Sequence, residues 1–289
     1  MKTTYKLILL VLLASLCSIA IYYRVEKVKP VTEKEHIIES QNKFEKSFFD
    51  GEYTFDNPKI VLNPYGISPL TALIYFETKD LTTPTVTIKG KDEKSTFSKT
   101  FIPSQEHLLP IYGLYPDYDN EVIISVNGKQ KTIKIKTDRL PDDIHLPTKV
   151  ISNKSKLNND LYFVTAATTG YPTAYDVNGD VRWYLTENFS WNIERLNNGN
   201  IIIGTNRLIN PPYYTTGLYE MDLLGKIYYE YTLPGGYHHD VYEMENGNLL
   251  VASNNFENGM VEDYVVEIDR KTGKIIEYFD LQEIVPNGG

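Results

Sequence analysis

Between residues 53 and 137, short runs of alternating hydrophobic and polar residues are separated by turn residues. The clearest alternating runs are residues 85–89, 121–126 and 132–136. A period of two is the side-chain period of a β-strand that buries one face. Asn127-Gly128 lies between the last two runs, and both residues accept the positive φ of a tight hairpin turn. The pattern predicts a small β-sandwich domain over residues 53–140.

In the second half of the chain, strands and turns recur at a nearly constant spacing. Turns that begin with aspartate and end with glycine occur at Asp176, Asp222 and Asp269, which are 46 and 47 residues apart. An Asn-Gly turn occurs at Gly199 and again 48 residues later at Gly247. Repeats of ~40 to 50 residues with this order of strands and turns are typical of the four-stranded blades of a β-propeller.

The predicted fold class is therefore all-β, with a small β-sandwich followed by an incomplete β-propeller. Residues 161–289 contain two recognisable repeats and the front of a third, whereas a propeller ring usually has about four to eight blades. We therefore expect the chain to be truncated, either as a fragment or through an interrupted gene. A linker over residues 141–160, marked by Pro141 and Pro147, separates the two domains.

The first 52 residues comprise an apolar segment and a charged one. Residues 1–25 begin with two lysines and continue as an apolar run over residues 7–23, which is typical of an export signal. The small residues near Ala20 suit cleavage, but the run also has about the ~20 residues that a membrane-anchoring helix needs. Residues 26–52 are charged and predict a spacer, either a helix or a stalk.

Composition narrows the functional classes. The net charge of -9, from 29 Lys and Arg against 38 Asp and Glu, argues against a protein that binds nucleic acid by neutralising phosphates. The 23 tyrosines favour strands that have one face buried. Cys17 is the only cysteine, so the exported domains contain no internal disulfide. Cys17 also resembles a lipid acceptor, although Leu16 is larger than the residue usual before such a cysteine.

The candidate functional segment is His238-His239-Asp240, directly ahead of the second Asn-Gly turn. When the two repeats are aligned on their Asn-Gly turns, His239 takes the position of Trp191 and Asp240 that of Asn192. The strand that follows begins near the central channel of a propeller, where these folds bind ligands. If the segment is itself a strand, His238 and Asp240 share one face and His239 points to the other.

The same segment also fits a structural role. Adjacent histidines and an aspartate occur in hydrogen-bonded turns, or as a metal pair without a third ligand, and the repeats contain no other histidine. Tyr213 and Tyr214 either line a pocket for an aromatic ring or lie in a loop. The aspartate and Asn-Gly turns themselves are structural, because Asp accepts backbone hydrogen bonds and Gly adopts positive φ.

Two groups of residues resemble a known family. The first group is Asn63-Pro64-Tyr65-Gly66-Ile67-Ser68-Pro69-Leu70-Thr71-Ala72-Leu73-Ile74, Phe76-Glu77-Thr78 and Val86-Thr87-Ile88-Lys89-Gly90-Lys91-Asp92. The second group is Tyr237-His238-His239-Asp240-Val241 and Asn246-Gly247-Asn248-Leu249-Leu250. Together they are similar to the amino-terminal domain and an early propeller blade of bacterial arylsulfate sulfotransferases, over about residues 55–289.

The resemblance implies a periplasmic enzyme with a β-sandwich and a six-bladed propeller. It would transfer a sulfuryl group from a phenolic sulfate ester to a phenol through a histidine intermediate, without a cofactor, a metal or a nucleotide donor. His238 and His239 are then the candidate catalytic residues, one of them resembling a sulfate-binding histidine with a binding or acid role. Asp240 is the candidate substrate-binding residue.

The resemblance also sets expectations for activity and assembly. The family's nucleophilic histidine, its arginine and its asparagine would follow Gly289, so we expect little activity from this chain alone. The partners implied are a phenolic sulfate donor and a phenol acceptor, together with a homodimer formed through the sandwich. The protein would be exported and, if the signal is retained, anchored in the inner membrane through residues 7–23.

Two rival functions fit parts of the pattern. A non-catalytic exported propeller would use the sandwich for binding or envelope assembly, with His238-His239-Asp240 as a structural turn. Further blades with channel histidines and an arginine would favour the transferase, whereas apolar residues there would favour this binding module. A quinone-dependent dehydrogenase propeller fits less well, because its paired cysteines and Trp-rich repeats are missing.

Overall fold

The computed structural model describes residues 33–144, 146–165, 171–187, 192–210, 214–256 and 264–284. The chain divides into two units, Met1–Ser47 and Phe48–Gly289. Part of the charged spacer forms helix α1, Glu33–Phe48. The predicted signal or anchor segment, residues 7–23, lies outside the described residues. Within the ranges above, no helix is both long and apolar enough to cross a membrane.

The predicted sandwich is formed by seven strands in two antiparallel sheets. The strands are β1 Lys59–Leu62, β2 Ala72–Thr82, β3 Thr85–Ile88, β4 Phe97–Thr100, β5 Ser104–Ile111, β6 Asp119–Val126 and β7 Lys129–Lys136, with a short 3-10 helix at Glu93–Ser95. One sheet has the order β1-β2-β5, and the other has the order β4-β3-β6-β7. Asn127 and Gly128 both have positive φ in the turn between β6 and β7, which confirms the predicted hairpin.

A single hydrophobic core joins the two sheets. Its buried side chains come from β2 and β5 on one side and from β3, β6 and β7 on the other: Ile74, Phe76, Leu109, Ile111, Val86, Val122, Ile124 and Ile133. Along β6 and β7 buried and exposed residues alternate, as the period of two predicts. The all-β class and the amino-terminal sandwich are thereby confirmed.

Three further antiparallel sheets follow the sandwich. Their strands are β8 Tyr162–Val164, β9 Thr173–Tyr175, β10 Val181–Tyr184, β11 Glu194–Arg195, β12 Ile201–Gly204, β13 Leu208–Asn210, β14 Tyr214–Met221, β15 Ile227–Tyr237, β16 Val241–Glu243, β17 Leu249–Ser253, β18 Tyr264–Asp269 and β19 Lys274–Asp280, before helix α2 Leu281–Ile284. The first repeat sheet has the order β10-β9-β8. The second has the order β11-β12-β14-β15, with β13 also on β14, and the third has the order β16-β17-β18-β19.

The recurring turns are built alike in all three repeat sheets. In each aspartate turn the carboxylate accepts backbone N–H bonds from the turn, and the closing glycine donates its N–H to the aspartate carbonyl. These aspartates are Asp176, Asp222 and Asp269. The closing glycines Gly179, Gly225 and Gly273 all have positive φ. The prediction that these turns are structural is therefore confirmed, whereas the arrangement of the sheets in a ring stays a prediction.

The Asn63-Pro64-Tyr65-Gly66 segment leads into contacts that hold the sandwich against the repeat sheets. Asn63 has φ 48° and its side-chain oxygen accepts the N–H of Ser68 at 2.9 Å, which closes the loop. The Ser68 hydroxyl in turn donates to the carbonyl of Leu223 at 2.9 Å, in the aspartate turn of the second repeat sheet. The N–H of Thr186, after β10, donates to the carbonyl of Ile67 at 2.9 Å. The segment thus contacts both the first and the second repeat sheet.

Candidate functional site

The His238-His239-Asp240 segment forms the corner between β15 of the second repeat sheet and β16 of the third. Since β15 ends at Tyr237 and β16 begins at Val241, none of the three residues lies in a strand. His239 has φ 59°, in the left-handed region that an extended strand cannot contain. The expectation of strand alternation is therefore wrong. His238 is 4% exposed, whereas the side chains of both His239 and Asp240 are exposed.

Two glycines allow the chain to reach this corner. A Cβ atom on Gly235 would lie 1.7 Å from the carbonyl oxygen of Asn254, so no side chain fits there. Gly236 has φ 73°, and a Cβ on it would lie 3.0 Å from the carbonyl oxygen of Thr215. The end of β15 thus passes in direct backbone contact with the segment that follows β17, and only glycine permits this approach.

His238 is held in place by the third repeat sheet. Its Nε2 lies 2.8 Å from the carbonyl oxygen of Ser253, and the Ser253 hydroxyl donates to the carbonyl of Gly236 at 2.7 Å. A carbonyl oxygen can only accept, so Nε2 carries the proton and the neutral ring has its lone pair on Nδ1. The Nδ1 atom is buried as well. His238 therefore ties the corner to β17 and does not present its ring to solvent.

Tyr214 packs against the buried histidine. It is the first residue of β14 and is buried, and its ring meets those of His238 and Phe256 edge to face with centroids 5.5 and 5.3 Å apart. Tyr214 therefore lies in a strand and not in a loop, while Tyr213 is outside the described residues. Edge-to-face packing of this kind fixes the orientation of the imidazole ring.

His239 is the histidine of the pair that reaches solvent. Its ring lies edge to face with that of His238 at 5.2 Å, and its carbonyl accepts a hydrogen bond from the Tyr237 hydroxyl at 3.3 Å. A left-handed backbone conformation at a non-glycine residue is uncommon and costs free energy unless its surroundings enforce it. Here the contacts of Tyr237 and His238 on one side and of Asp240 on the other enforce it, so that the imidazole of His239 points outward.

The contacts of Asp240 are those of a turn residue. Its carboxylate accepts the N–H of Val241 at 2.9 Å and the side-chain amide of Asn192 at 3.3 Å. Asn192 is the residue that aligns with Asp240 in the preceding repeat, whereas Trp191 lies outside the described residues. Burial raises the pKa of the nearby Glu194 carboxyl, and the charges of Asp240 and Glu243 raise it further. The side of the corner that faces Glu194 is therefore electronegative, and an anion would approach from the His239 side.

The corner does not contain a metal centre. Within the described ranges, no group of three or more His, Cys, Asp or Glu side chains is arranged to hold a metal ion. The segment brings together one buried imidazole, one exposed imidazole and one carboxylate. This set can donate hydrogen bonds to an anion and take up or release a proton near neutral pH.

Two family models match the chain and together cover its sandwich and its repeat sheets. The model described as arylsulfotransferase (ASST) matches residues 147–287, and the model described as arylsulfotransferase Ig-like domain matches residues 59–138. The chain belongs to the arylsulfotransferase family. The Ig-like match covers the seven-stranded sandwich, and the other match contains all three repeat sheets and the histidine corner.

Curated relatives agree with this assignment. The chain is 24% identical over 292 residues to arylsulfate sulfotransferase AssT of Lelliottia amnigena, which covers 78% of this chain and 49% of that protein. It is also 24% identical over 305 residues to arylsulfate sulfotransferase AssT of Escherichia coli O6:H1, with the same coverage of 78% and 49%. The chain thus spans about half the length of these relatives.

Next to the corner, the arylsulfotransferase match contains an ion-pair cluster that the sequence reading missed. Arg270, in the aspartate turn of the third sheet, donates from Nε and Nη2 to both oxygens of Glu220 in the second sheet at 2.9 and 2.7 Å. Its Nη1 donates to Glu243 at 2.6 Å. A signal was present, because the equivalent position in the second repeat is Leu223. An arginine that breaks a repeat indicates a contact specific to that repeat.

This cluster shifts the ionisation of Glu220. Burial alone would raise the pKa of its carboxyl, but hydrogen bonds from Arg270, Asn200, Asn198 and Tyr231 outweigh burial and lower the pKa from 4.5 to about 2. Glu220 is therefore ionised throughout the physiological range, and the second and third sheets are joined by a permanent charge pair.

A second arginine missed by the sequence reading joins the sandwich to the first repeat sheet. Arg182 on β10 is completely buried and pairs with Asp176 at 2.9 Å. It also donates to the carbonyls of Gly113 and Ser95 in the sandwich at 2.8 and 2.9 Å. Its guanidinium lies 3.8 Å from the ring centroid of Tyr115, a cation–π contact. Its sandwich partners are 69 and 87 residues away in sequence, so no local pattern predicts them.

Proposed function

We propose that this chain is part of an exported enzyme that transfers a sulfuryl group from a phenolic sulfate ester to a phenol. The observation that carries the proposal is the pair of arylsulfotransferase family matches over the sandwich and the repeat sheets. The two relatives, both arylsulfate sulfotransferases, support the same reaction class. The export signal predicted in residues 1–25 supports a periplasmic location, with cleavage or anchoring through residues 7–23 left open.

The three repeat sheets are proposed to be successive blades of a six-bladed propeller. Support comes from their common strand order, their equivalent turns and one contact between equivalent positions. Asn192 and Asp240, which are 48 residues apart, are joined by a hydrogen bond across consecutive sheets. Wedge-shaped sheets around an axis bring such equivalent corners together at the axis. The His239 corner would then face the central channel, where propellers bind ligands.

At this corner, His239 is proposed to hold the sulfate group of the donor. The exposed imidazole can donate a hydrogen bond or, when protonated, offer a positive charge to sulfate oxygens. Charge builds up on those oxygens and on the phenolate as the sulfur–oxygen bond breaks, and a fixed N–H donor offsets it. His238 would act as a positioning residue, because its bond to the Ser253 carbonyl sets the corner on which His239 stands.

The covalent step is proposed to occur on another histidine, in a part of the enzyme that this chain does not contain. A neutral imidazole nitrogen would attack sulfur, the S–O bond to the first phenol would break, and that phenolate would leave and take up a proton. The second phenol, losing its proton, would then attack sulfur and restore the imidazole. We therefore propose that this chain alone binds aryl sulfates but turns them over slowly. A homodimer formed through the sandwich is part of the same proposal.

Titration of the chain with phenyl sulfate, followed by NMR of the imidazole protons, tests the binding role. We expect the His239 resonance to shift and His239→Gln to weaken binding by about tenfold, as loss of one charged hydrogen bond does. Lys274→Gln removes a positive charge from an exposed site on the same sheet and should leave binding unchanged. Equal binding by His239→Gln and the parent chain would refute the assignment and favour a non-catalytic module. Phenol release, measured in parallel, would refute the proposed low activity if turnover were fast.

A further inference from the structure

The second repeat sheet is covered on both faces, whereas the third is covered on one. Strands β12 and β14 of the second sheet are buried along almost their whole length. Side chains of the second sheet that pack against the third are Ile202, Leu218 and Tyr231. They meet the inner face of the third sheet, made by Leu249, Val251, Val266 and Ile268. The opposite face of the third sheet is only half-buried.

This opposite face repeats the chemistry of the covered one. The turns and the strand register align Ile202 with Leu250, Leu218 with Val265, Tyr231 with Phe279 and Glu220 with Glu267. We call Leu250, Val265, Glu267 and Phe279 the outer face. Each of its residues is half-buried, where its counterpart in the second sheet is buried. Beside it, Tyr242 is 61% exposed.

The carboxylate at the centre of the outer face has one half of a known set of contacts. Glu220 accepts the Asn200 amide at 2.8 Å, and Glu267 accepts the equivalent Asn248 amide at 2.6 Å. Glu220 also binds Arg270 from the next sheet. The structure pairs no cationic side chain of its described residues with Glu267. The outer face therefore combines an apolar surface with a carboxylate that lacks the cation found at the equivalent position.

We propose that the outer face binds a further four-stranded sheet of the same repeat, which carries an arginine directly after the aspartate of its own turn. An inner face like that of the third sheet would cover the apolar residues, and the arginine would pair with Glu267. A second copy of this chain fits less well, because its own Arg270 already pairs with Glu220 and Glu243. The inference rests on the propeller arrangement proposed above but not on sulfuryl transfer.

The test uses the full chain extended after Gly289 by a second copy of residues 238–284, which contains the required arginine. Amide hydrogen exchange is measured for β18 and β19 in the extended and the parent chain. If the added sheet covers the outer face, exchange in these strands slows by about tenfold or more. Glu267→Gln in the extended chain should return most of that slowing, because it leaves the added arginine without its carboxylate.

Matched variants make each result decisive. Glu245→Gln removes an exposed carboxylate from the same sheet and should leave the slowing intact. In the parent chain, Glu267→Gln should change exchange less than about twofold, as expected for a carboxylate without an ion pair. Exchange that does not slow, an added sheet that stays unfolded, or equal effects of the two glutamate changes would overturn the proposal. So would a dimer of the parent chain that Glu267→Gln dissociates, since a second copy would then be the occupant. None of these results bears on phenyl sulfate binding, which is tested separately.

Discussion

Two junctions in this molecule use the same pair of charges in different surroundings. Between the sandwich and the first repeat sheet, the side chains of Arg182 and Asp176 are 0% and 1% exposed. Between the second and third repeat sheets, the side chains of Arg270 and Glu220 are 18% and 8% exposed. The first arginine is enclosed by aromatic rings and carbonyl oxygens, whereas the second lies among carboxylates and amides that solvent reaches.

The difference separates a structural junction from a functional one. A completely buried charge pair is costly to disturb and leaves no room for a ligand, so the first junction serves to hold the two domains together. The second junction carries the exposed imidazole of His239 a short distance from its ion pairs. Because solvent reaches it, an anionic substrate can reach it as well. The predictions below test this contrast, beginning with the largest expected effect.

Replacement of Arg182 should cause the largest loss of stability. Arg182→Met leaves the carboxylate of Asp176 buried without its cation, and breaking a buried pair in this way costs about 3 to 5 kcal/mol. Urea unfolding followed by circular dichroism measures the change. Arg139→Met is the matched control, because Arg139 pairs with Asp142 at the surface with its side chain 77% exposed. The control should cost less than about 0.5 kcal/mol. Equal losses in the two variants would show that the first junction is not sealed.

A side chain at Gly235 should disturb the second junction by steric means. Gly235→Ala places a Cβ atom against the backbone of Asn254, and relief of that overlap should cost about 3 kcal/mol, the upper end for overpacking. Gly247→Asn is the control, since nothing lies near a Cβ there and asparagine tolerates positive φ. Thermal unfolding of both variants gives the comparison. A tolerated Gly235→Ala would mean that the two sheets do not approach as closely as described.

Loss of Arg270 should have a smaller effect than loss of Arg182. Arg270→Met removes three charged hydrogen bonds from partly exposed groups, and we expect a cost of about 2 kcal/mol at neutral pH in urea unfolding. The carboxylates that remain can be hydrated, which is why the cost stays below that at the first junction. A cost equal to or above that of Arg182→Met would contradict the contrast between the junctions.

The pH dependence of the same variant sharpens this prediction. The folded-state pKa of Glu220 is lowered from 4.5 to about 2, so its contribution to stability is fully present above pH 4.5 and is lost as pH falls towards 2. The free-energy difference between the parent chain and Arg270→Met should therefore shrink over that window. Urea unfolding at a series of acidic pH values measures it. A difference that stays constant with pH would show that Glu220 and Arg270 do not interact as an ion pair.

The smallest effect is expected at the contact between equivalent corners. Asn192→Ala removes one exposed hydrogen bond of 3.3 Å to Asp240, and its cost should be below about 0.5 kcal/mol. Phenyl sulfate affinity should also remain unchanged, because Asn192 does not touch His239 directly through this bond. A large loss of affinity, measured by the same NMR titration, would place Asn192 among the ligand-binding residues.

Features that depend on neighbouring residues could be predicted from the sequence. The hairpin at Asn127 and Gly128 and the repeated aspartate and Asn-Gly turns depend on local hydrogen bonds and on positive φ at glycine. The alternation in β6 and β7 depends on one buried face. These features follow from short sequence patterns, and the structure reproduces them.

Features that depend on distant contacts could not be predicted. The buried position of Arg182 results from partners in the sandwich, and the conformation of the His239 corner results from backbone contacts of Gly235 and Gly236 with distant strands. The Gly-Gly pair was visible, but its meaning depends on a neighbour 19 residues further along the chain, Asn254. Which histidine is exposed was therefore beyond the reach of strand periodicity.

Solvent exchange of the two arginine Nε protons tests the contrast between the junctions most directly. Both protons are hydrogen-bonded, that of Arg182 to the carbonyl of Gly113 at 2.8 Å and that of Arg270 to Glu220 at 2.9 Å. Because only the first is sealed from water, NMR should find exchange at Arg182 slower than at Arg270 by about tenfold or more. Equal exchange rates at the two sites would contradict the division into a structural and a solvent-accessible junction.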